Sequence, residues 1–395
     1  MKLQLKLISF SNEFYPKIGG ISNYVIESLK TFKVLRLNCE QWVPYNNKLA
    51  RKYFPFKVRT LNISTTHNFV NLLSFFLKIK KELPYYLNNV LYIAEPGPLR
   101  VFSLLMFIIN NSVTGSLLNI CFHGSEVLQM RRLNLSFVFD NIINKAGSVL
   151  TVSNYTKGFT TSIPIKGKGL GPNNLLEQYR VKNVPPSIKD TPTCYFRGVD
   201  KPTLKLITIG RLHNRKGHCL TLNNLGGVLK FYNKKKIHYT MVGPFLNKKY
   251  FKHIVDLSTK LKVFSSIKLN VGGTNISKEY FLNKIHLMTS VNYGFSVEGF
   301  GLVYIEANLR NLFVIANKIG GVGDAMIQKH TGFFINKNIH KFNKIFAFFN
   351  NRPNKEATLM FFSKLYSKKY KVYWTFIYKS LVFFYFLKQL SYSLA

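Results

Sequence analysis

Short apolar segments alternate with longer mixed segments along most of the chain. In the first half the apolar runs are Leu3–Phe10, Val90–Ala94, Leu117–Phe122 and Ser148–Val152. In the second half they are Leu204–Ile209, Ile237–Val242, Ile267–Val271, Ile285–Val291 and Phe313–Ala316. Short apolar runs bounded by glycine, proline or polar residues are typical of buried strands. Repeated strand and helix units predict an α/β fold with parallel sheets and right-handed crossovers.

The mixed segments predict helices between these strands. Ser22 follows Gly19-Gly20 and is the predicted N-cap of a helix that runs to Lys30. The apolar run Val101–Ile109 predicts a buried helix, and another helix is predicted to begin near Leu302.

Residues 180–203 are rich in proline and polar residues, which is typical of an interdomain linker. A chain of 395 residues can form two cores. We therefore predict a first domain over 1–200, a second over 201–357 and C-terminal helices over 358–395.

The chain carries 56 Lys and Arg against 16 Asp and Glu, a formal charge of +40. Such a surface attracts polyanions, including nucleic acid and an anionic bilayer. An AT-rich coding sequence would also favour Lys, Asn, Ile, Phe and Tyr, so both explanations stay open. The aromatic segment Val372–Leu387 follows several lysines and predicts a helix that either lies on a membrane or packs on the protein.

Cysteine usage and hydropathy indicate the compartment. The four cysteines are far apart and form no Cys-x-x-Cys, which favours a reducing cytosol. No apolar stretch reaches the roughly 20 residues of a membrane span. Met1–Phe10 alternates too strictly for a signal-peptide core, so a cytoplasmic location is expected.

Two carboxylates, Glu298 and Glu306, flank a turn made by Gly299, Phe300 and Gly301. A helix that begins at such a turn, near Leu302, directs free N–H groups outward and can bind phosphate. Carboxylates beside a phosphate site suit a nucleotide-sugar, because one can hold ribose hydroxyls and the other the sugar. The alternative is a glycine turn before a buried helix, with two surface glutamates.

Basic and polar residues follow other predicted strands. Arg211 and Lys216, flanked by Gly210 and Gly217, could neutralise a diphosphate, or could be two more solvated bases. Ligands of open α/β sheets bind beyond the carboxyl ends of strands. The residues Gly19, Gly20, His123 and Ser153 all fall at such ends.

These pieces together resemble retaining glycosyltransferases of family 4, which have the GT-B fold. The resemblance is carried, in order, by Phe14–Gly20, His123–Glu126, Val152–Thr156, Ile209–Leu212 with Arg215–Gly217, Ser296–Glu306, and Gly320-Gly321 with Asp324. It implies two Rossmann-like domains facing a cleft, an acceptor-side domain first and a nucleotide-sugar-binding domain second. It also implies that the C-terminal helices cross back to the first domain.

The resemblance also implies roles for single residues. Glu306 would hold the donor ribose, Glu298 would face the transferred sugar, and His123 would hydrogen-bond that sugar. Arg211 and Lys216 would stabilise the leaving diphosphate. The remaining donor-binding positions implied are Gly19, Gly20, Gly210, Gly299, Phe300, Gly301 and Leu302.

The implied function is retaining transfer of a hexose from a UDP-sugar or GDP-sugar to a saccharide or lipid-linked acceptor. Surface polysaccharide or glycolipid synthesis at the inner face of a membrane would suit the basic charge and the aromatic tail. Neither metal nor cofactor is implied, and the sequence contains no Asp-x-Asp.

Two other functions compete with this one. The first is a degenerate basic relative that binds membrane or nucleic acid without turnover. The second is a glycogen-phosphorylase-like enzyme with pyridoxal phosphate, for which the chain is short and no cofactor lysine motif is visible. Retention of both Glu298 and Glu306 favours the transferase, and nucleic acid is not the expected partner.

The sequence departs from the family pattern at several positions. Asp324 stands where glutamate is common, and Ala307–Leu312 lacks the usual glycine and proline. The loop Asn292–Val297 is a few residues longer than usual.

Overall fold

The computed structural model of the chain describes residues 6–14, 19–34, 36–44, 54–61, 73–74, 76–78, 81, 89–109, 118–132, 142–143, 146–161, 181–183, 204–231, 237–245, 247–269, 273–310, 312–329, 331–335, 342 and 344. The chain divides into two compact units, with the described residues from 6 to 183 in the first and those from 204 to 344 in the second. The predicted domain boundary at residue 200 and the predicted helices of 358–395 lie outside the described residues.

The first unit contains a seven-stranded parallel sheet of order β3-β2-β1-β4-β5-β6-β7. Its strands are β1 (Lys6–Phe10), β2 (Asn38–Val43), β3 (Lys57–Thr60), β4 (Val90–Ile93), β5 (Leu118–Phe122), β6 (Ser148–Thr151) and β7 (Val181–Asn183). The helices described in this unit are α1 (Gly20–Val34), α2 (Pro96–Ile109), α3 (Ser125–Arg132) and α4 (Asn154–Thr161).

The second unit contains a six-stranded parallel sheet of order β10-β9-β8-β11-β12-β13. Its strands are β8 (Leu204–Ile209), β9 (Ile237–Val242), β10 (Phe264–Lys268), β11 (Ile285–Met288), β12 (Phe313–Ala316) and β13 (Gly332–Phe334). A 3₁₀ turn spans Asn214–Lys216, and the helices are α5 (His218–Phe231), α6 (Lys248–Lys260), α7 (Gly273–Phe281), α8 (Leu302–Leu309) and α9 (Val322–Ala325).

Each unit has its own hydrophobic core. In the first, the buried residues come from β1, β4, β5 and β6 and from the helix α2, where Phe10 packs against Phe102. In the second, they come from β8, β9, β11 and β12 with helices α5 and α6. Strands buried in this way read as continuous apolar runs, which is why the sequence pattern identified most of them.

The order of the strands reverses once in each sheet. In the first sheet the reversal lies between β1 and β4, and in the second it lies between β8 and β11. Open α/β sheets bind ligands beyond the carboxyl ends of the strands at such a point. The segments that follow these four strands therefore hold the candidate functional residues.

The fold prediction is confirmed as α/β with parallel sheets, and three local predictions need correction. Helix α1 begins at Gly20 and ends at Val34, so Ser22 is not its N-cap but a buried residue of the first turn. Strand β10 begins at Phe264 and not at Ile267, because its register follows β9. Strand β11 ends at Met288, three residues before the predicted end.

Candidate active site

A buried ion-pair cluster occupies the carboxyl ends of β8 and β11. Lys216 Nζ lies 2.8 Å from Glu298 Oε2, and Arg215 Nη1 lies 2.9 Å from the same oxygen. Ser290 Oγ donates a further, longer hydrogen bond of 3.4 Å to that oxygen. One carboxylate oxygen thus receives two cations and a hydroxyl at the reversal point of the second sheet.

Burial and charge act against each other in this cluster. Burial favours the neutral form of Glu298, but Lys216 and Arg215 outweigh it and hold the pKa of Glu298 at about 2. Burial lowers the pKa of Lys216 below the usual 10.5 of lysine, while Glu298 opposes that shift. Opposite charges within hydrogen-bond distance favour both ionised forms, so the glutamate is a carboxylate at neutral pH.

The local sequence explains how Lys216 reaches Glu298. The His213 ring accepts a hydrogen bond from the Arg215 N–H and caps the 3₁₀ turn that carries both cations. Gly217 ends the turn with φ of 71°, and a Cβ there would lie 2.0 Å from the carbonyl oxygen of Thr289. Only glycine fits such a left-handed position against a neighbouring backbone.

Helix α8 begins at the predicted glycine turn. Gly301 precedes its first residue with φ of 93°, and a Cβ at Gly301 would lie 2.4 Å from the Tyr304 ring. The Phe300 side chain is buried, so Phe300 offers a ligand only its backbone. The Tyr304 N–H donates to the Gly301 carbonyl at 3.1 Å. The N–H groups that open a helix, which here begin at Leu302, have no acceptor within the helix, and such an end can bind an anion.

Glu306 lies on α8, one turn after Leu302. The Tyr280 hydroxyl donates a hydrogen bond of 3.2 Å to Glu306 Oε2. Arg310 donates to the backbone carbonyl of Glu306 at 3.0 Å and covers the Tyr280 ring at 4.8 Å. Burial raises the pKa of Glu306 above 4.5, although Arg310 and Tyr280 oppose the change.

A chain of hydroxyls runs from the Glu298 side of α8 into the core. The Tyr304 hydroxyl lies 3.4 Å from Ser290 Oγ and donates to the Met288 carbonyl at 3.4 Å. The ring of His286 meets Tyr304 edge-on at 5.8 Å. These contacts fix the β11 end against α8 and thereby hold Glu298 in place.

The remaining predicted residues of the second unit lie on its surface or support its backbone. Arg211 is exposed at the end of β8, so the structure brings Arg215 to Glu298 and not Arg211. The Gly210 N–H donates to the carbonyl of Val242 at 2.9 Å. Gly299 is half-buried between Glu298 and Phe300.

His123 follows β5 in the first unit, as predicted. Its ring meets Tyr24 edge-on at 5.0 Å, and its Nε2 is buried without a hydrogen-bond partner among the described residues. Burial lowers the pKa of His123 to about 4, although a hydrogen bond with the backbone of Ala94 opposes this. The Glu126 carboxylate accepts hydrogen bonds from the N–H groups of His123 and Gly124, which fixes the turn. The ring is therefore a neutral imidazole at pH 7.

Gly19 and Gly20 lie at the beginning of α1. The carbonyl of Gly19 accepts the N–H of Asn23 at 3.0 Å, and Gly20 is exposed as the first helical residue. A Cβ on Gly19 would lie 2.4 Å from Glu13 Oε2. The preceding loop residues 15–18 lie outside the described residues.

No role was predicted from the sequence for three residues that make hydrogen bonds or ion pairs with the candidate site residues or the segments that lead to them: Glu95, Arg215 and Tyr280. Glu95 follows β4 and accepts the N–H groups of Asn12 and Glu13, the latter at 3.2 Å, so it fixes the segment that leads to Gly19. Burial raises the pKa of Glu95 to about 7, with these hydrogen bonds opposing. The sequence did contain a signal for Glu95, because an acidic residue directly after a predicted strand is notable in a chain with only 16 acidic residues.

The described residues contain no group of three or more His, Cys, Asp or Glu side chains placed to hold a metal ion. None of the helices in the described part of the chain combines the length and the hydropathy that crossing a bilayer requires.

Known proteins resemble this chain in sequence pattern and in fold. Residues 197–360 match the family model of glycosyl transferases group 1. No curated protein sequence matches the chain. Several hundred solved chains resemble the structure.

Three solved structures represent these neighbours. HepE from Anabaena, in complex with UDP and glucose, has a TM-score of 0.72 and 16% identity over 96% of this chain and 99% of its own. Sucrose-phosphate synthase from Thermosynechococcus elongatus has a TM-score of 0.71 and 13% identity over 98% and 100%. WaaG, a glycosyltransferase of lipopolysaccharide biosynthesis, has a TM-score of 0.61 and 11% identity over 92% and 95%.

The matched region contains every residue of the ion-pair cluster and both paired glutamates. The fold likeness covers nearly the whole chain, including both parallel sheets. Residues 197–360, which fall in the second unit, therefore match glycosyl transferases group 1, and the chain has the α/β fold of GT-B glycosyltransferases with two parallel sheets.

Proposed function

We propose that the protein is a retaining glycosyltransferase that moves a hexose from a UDP-sugar to a saccharide or lipid-linked acceptor. The observation that carries the proposal is the cluster of Glu298, Lys216 and Arg215 beside the first turn of α8. Solved neighbours of the same fold bind UDP and UDP-glucose, which favours UDP over GDP as the donor nucleotide.

The cluster suits a reaction in which negative charge grows on a leaving diphosphate. Lys216 is a buried cation and Arg215 a partly buried one, and the N–H groups at the start of α8 are fixed dipoles. Preorganised donors of this kind stabilise developing charge more than they stabilise the ground state. In the proposal Arg211 adds a third, exposed cation. The amides of Phe300, Gly301 and Leu302 contact the phosphates, and Gly299 lies directly before them.

The two glutamates have different proposed tasks. Glu298 is ionised and accepts hydrogen bonds, so it can receive hydroxyls of the transferred sugar. Glu306 is held by Tyr280 and can receive the hydroxyls of the ribose. Gly210 lets the backbone approach the donor at the end of β8.

The first unit contributes neutral groups in this proposal. His123 is a neutral imidazole whose buried Nε2 can form a hydrogen bond with a sugar hydroxyl. Gly19 and Gly20 offer backbone N–H groups at the start of α1, and Glu95 holds the segment before them.

Retention of configuration and independence of metal are part of the proposal. The acceptor hydroxyl would attack from the face that the diphosphate leaves, and a donor phosphate oxygen would accept its proton. The cations of the cluster supply positive charge to the diphosphate, and the sequence offers no Asp-x-Asp for a metal.

An acceptor at an anionic membrane would suit the charge of +40. Flotation with anionic liposomes should then fall as salt rises. Binding that is absent, or equal on neutral liposomes, would count against a membrane-bound acceptor.

The donor is tested by thermal unfolding with UDP, GDP or ADP, using wild type and Glu306→Ala. Nucleotide at a hundred times its Kd adds roughly 2.7 kcal/mol, several degrees for domains of this size. The shift with UDP should be lost in Glu306→Ala and kept in Asp256→Ala, which removes an exposed carboxylate from α6 in the same unit.

The competing binding function predicts a different result. Equal shifts with all three nucleotides and with heparin, unchanged by Glu306→Ala, would mean that the net charge alone binds anions. The degenerate basic relative without turnover would then explain the chain better than the transferase.

A further inference from the structure

The loop between β11 and α8 contains a tight turn that displays two aromatic rings. The Tyr293 N–H donates to the Ser296 carbonyl at 3.2 Å, and the Ser296 N–H donates back to the Tyr293 carbonyl at 3.0 Å. Gly294 adopts φ of 57°, which such a reversal requires. We call residues 292–296 the aromatic turn, and its rings Tyr293 and Phe295 are 51% and 42% exposed.

Arg215 fixes both ends of the aromatic turn. The Val291 N–H donates to the Arg215 carbonyl at 2.8 Å, and Arg215 Nη1 donates to the Val297 carbonyl at 3.0 Å. The same guanidinium lies 2.9 Å from Glu298. The turn is thus tied to the ion-pair cluster through one side chain, and it ends two residues before Glu298.

The Tyr293 ring also has a lateral support. It meets the His213 ring edge-on at 5.7 Å, and His213 caps the 3₁₀ turn of Arg215 and Lys216. A ring held by a fixed backbone and an aromatic neighbour loses little freedom when a ligand covers it. Rigid aromatic side chains therefore provide contact area at a low entropic cost.

Exposed aromatics at this place match one chemical class of ligand. A pyranose ring presents an apolar C–H face, and its hydroxyls lie at the ring edge. Aromatic rings bury the C–H face, while a nearby carboxylate accepts the hydroxyls. The aromatic turn and Glu298 offer these two kinds of contact within a few residues.

We propose that Tyr293 and Phe295 bind a pyranose ring beside Glu298 and thereby select the sugar. The inference rests on the proposed transferase function, and it concerns the part of the chain where the loop is longer than the family pattern. The ring could belong to the donor or to the acceptor, and the chemistry of contact is the same in both cases.

The test compares Tyr293→Ala and Phe295→Ala with a matched control, Phe264→Ala. Phe264 is 73% exposed in the same unit and lies 4.9 Å from the ring of His238. It begins β10 and is therefore at the opposite end of the sheet from the ion-pair cluster. Calorimetry gives the Kd of UDP and of UDP-glucose, and saturation-transfer NMR reports maltose binding in the presence of UDP.

If the bound pyranose belongs to the donor, each alanine variant should raise the Kd of UDP-glucose roughly three- to tenfold and leave the Kd of UDP unchanged. If the bound pyranose belongs to the acceptor, the ring protons of maltose should receive saturation transfer from the wild-type protein and from neither alanine variant. Tyr293→Phe should behave as wild type in either case, because the ring and not the hydroxyl makes the contact. Phe264→Ala should change neither measurement.

Two results would overturn the inference. In the first, Tyr293→Ala and Phe295→Ala match Phe264→Ala in all measurements while UDP still binds, so the proposed function stands and the sugar contact fails. In the second, UDP and UDP-glucose weaken equally, which assigns the turn to the nucleotide or to folding. A wild-type chain that binds neither ligand removes the proposed function and this inference with it.

Discussion

Replacing Glu298 with glutamine would leave the buried Lys216 and the partly buried Arg215 without their shared counter-charge. The side chains of Lys216 and Glu298 are only 10% and 8% exposed, so water cannot replace the lost carboxylate. Removing one partner of a buried ion pair costs about 3–5 kcal/mol. A pKa near 2 instead of 4.5 gives a similar figure for Glu298, about 3 kcal/mol at neutral pH.

The measurement is thermal unfolding at neutral pH without ligand. A loss of about 3 kcal/mol should lower the Tm of the second unit by about 6–12 °C. Glu279→Gln is the matched control, because Glu279 lies 2.7 Å from Lys268, which is 40% exposed and can be hydrated. That control should cost at most about 1 kcal/mol.

The pH dependence gives an independent check. The stability from a carboxyl with a lowered pKa is present above about 4.5 and is lost as pH falls toward 2. The gap in Tm between wild type and Glu298→Gln should therefore narrow between pH 5 and pH 3. If Glu298→Gln unfolds within 2 °C of Glu279→Gln at pH 7, roughly the effect of 1 kcal/mol or less, the cluster is not a buried ionised site and the reasoning fails.

Two further changes test other parts of the fold. The pKa of Glu95 is raised to about 7, so its contribution to stability is full below about pH 4.5 and is lost as pH rises through 7. Glu95→Gln should therefore flatten the fall of Tm between pH 5 and pH 8. An unchanged slope of Tm against pH would refute this. Gly217→Ala should lower the free energy of unfolding by about 3 kcal/mol, because its Cβ would meet the Thr289 carbonyl at a left-handed φ. The control Gly158→Ala adds a Cβ in open space on α4 and should be neutral or stabilising in denaturant unfolding. Equal effects of the two changes would show that the contact at Gly217 is not tight.

The sequence was sufficient to locate the candidate site but not to pair its residues. Lys216 and Glu298 each follow a strand, and strands of a parallel sheet end at one edge, so their proximity could be expected. Arg211 and Arg215 follow the same strand, and composition does not distinguish them. The capped 3₁₀ turn decides that Arg215 faces Glu298, and that geometry depends on His213 and on tertiary packing.

The errors in the elements have physical causes. Strand β10 is an edge strand that contains Ser265 and Ser266, so hydropathy moved its prediction toward Ile267–Val271. Its pairing with β9 sets the true beginning at Phe264. Ser22 had the residue type of a cap, but Gly19 already accepts the first helical hydrogen bond.

Arg215 holds the loop before α8 at both ends, so the position of those ends does not depend on the side chains between them. Both ends of residues 292–296 are held through Arg215, by its carbonyl on one side and by its guanidinium on the other. Side chains of the turn other than Gly294 can change while the two ends stay in place beside Glu298. Substitutions in this loop can therefore alter the sugar preference while the contacts among Glu298, Lys216 and Arg215 stay unchanged.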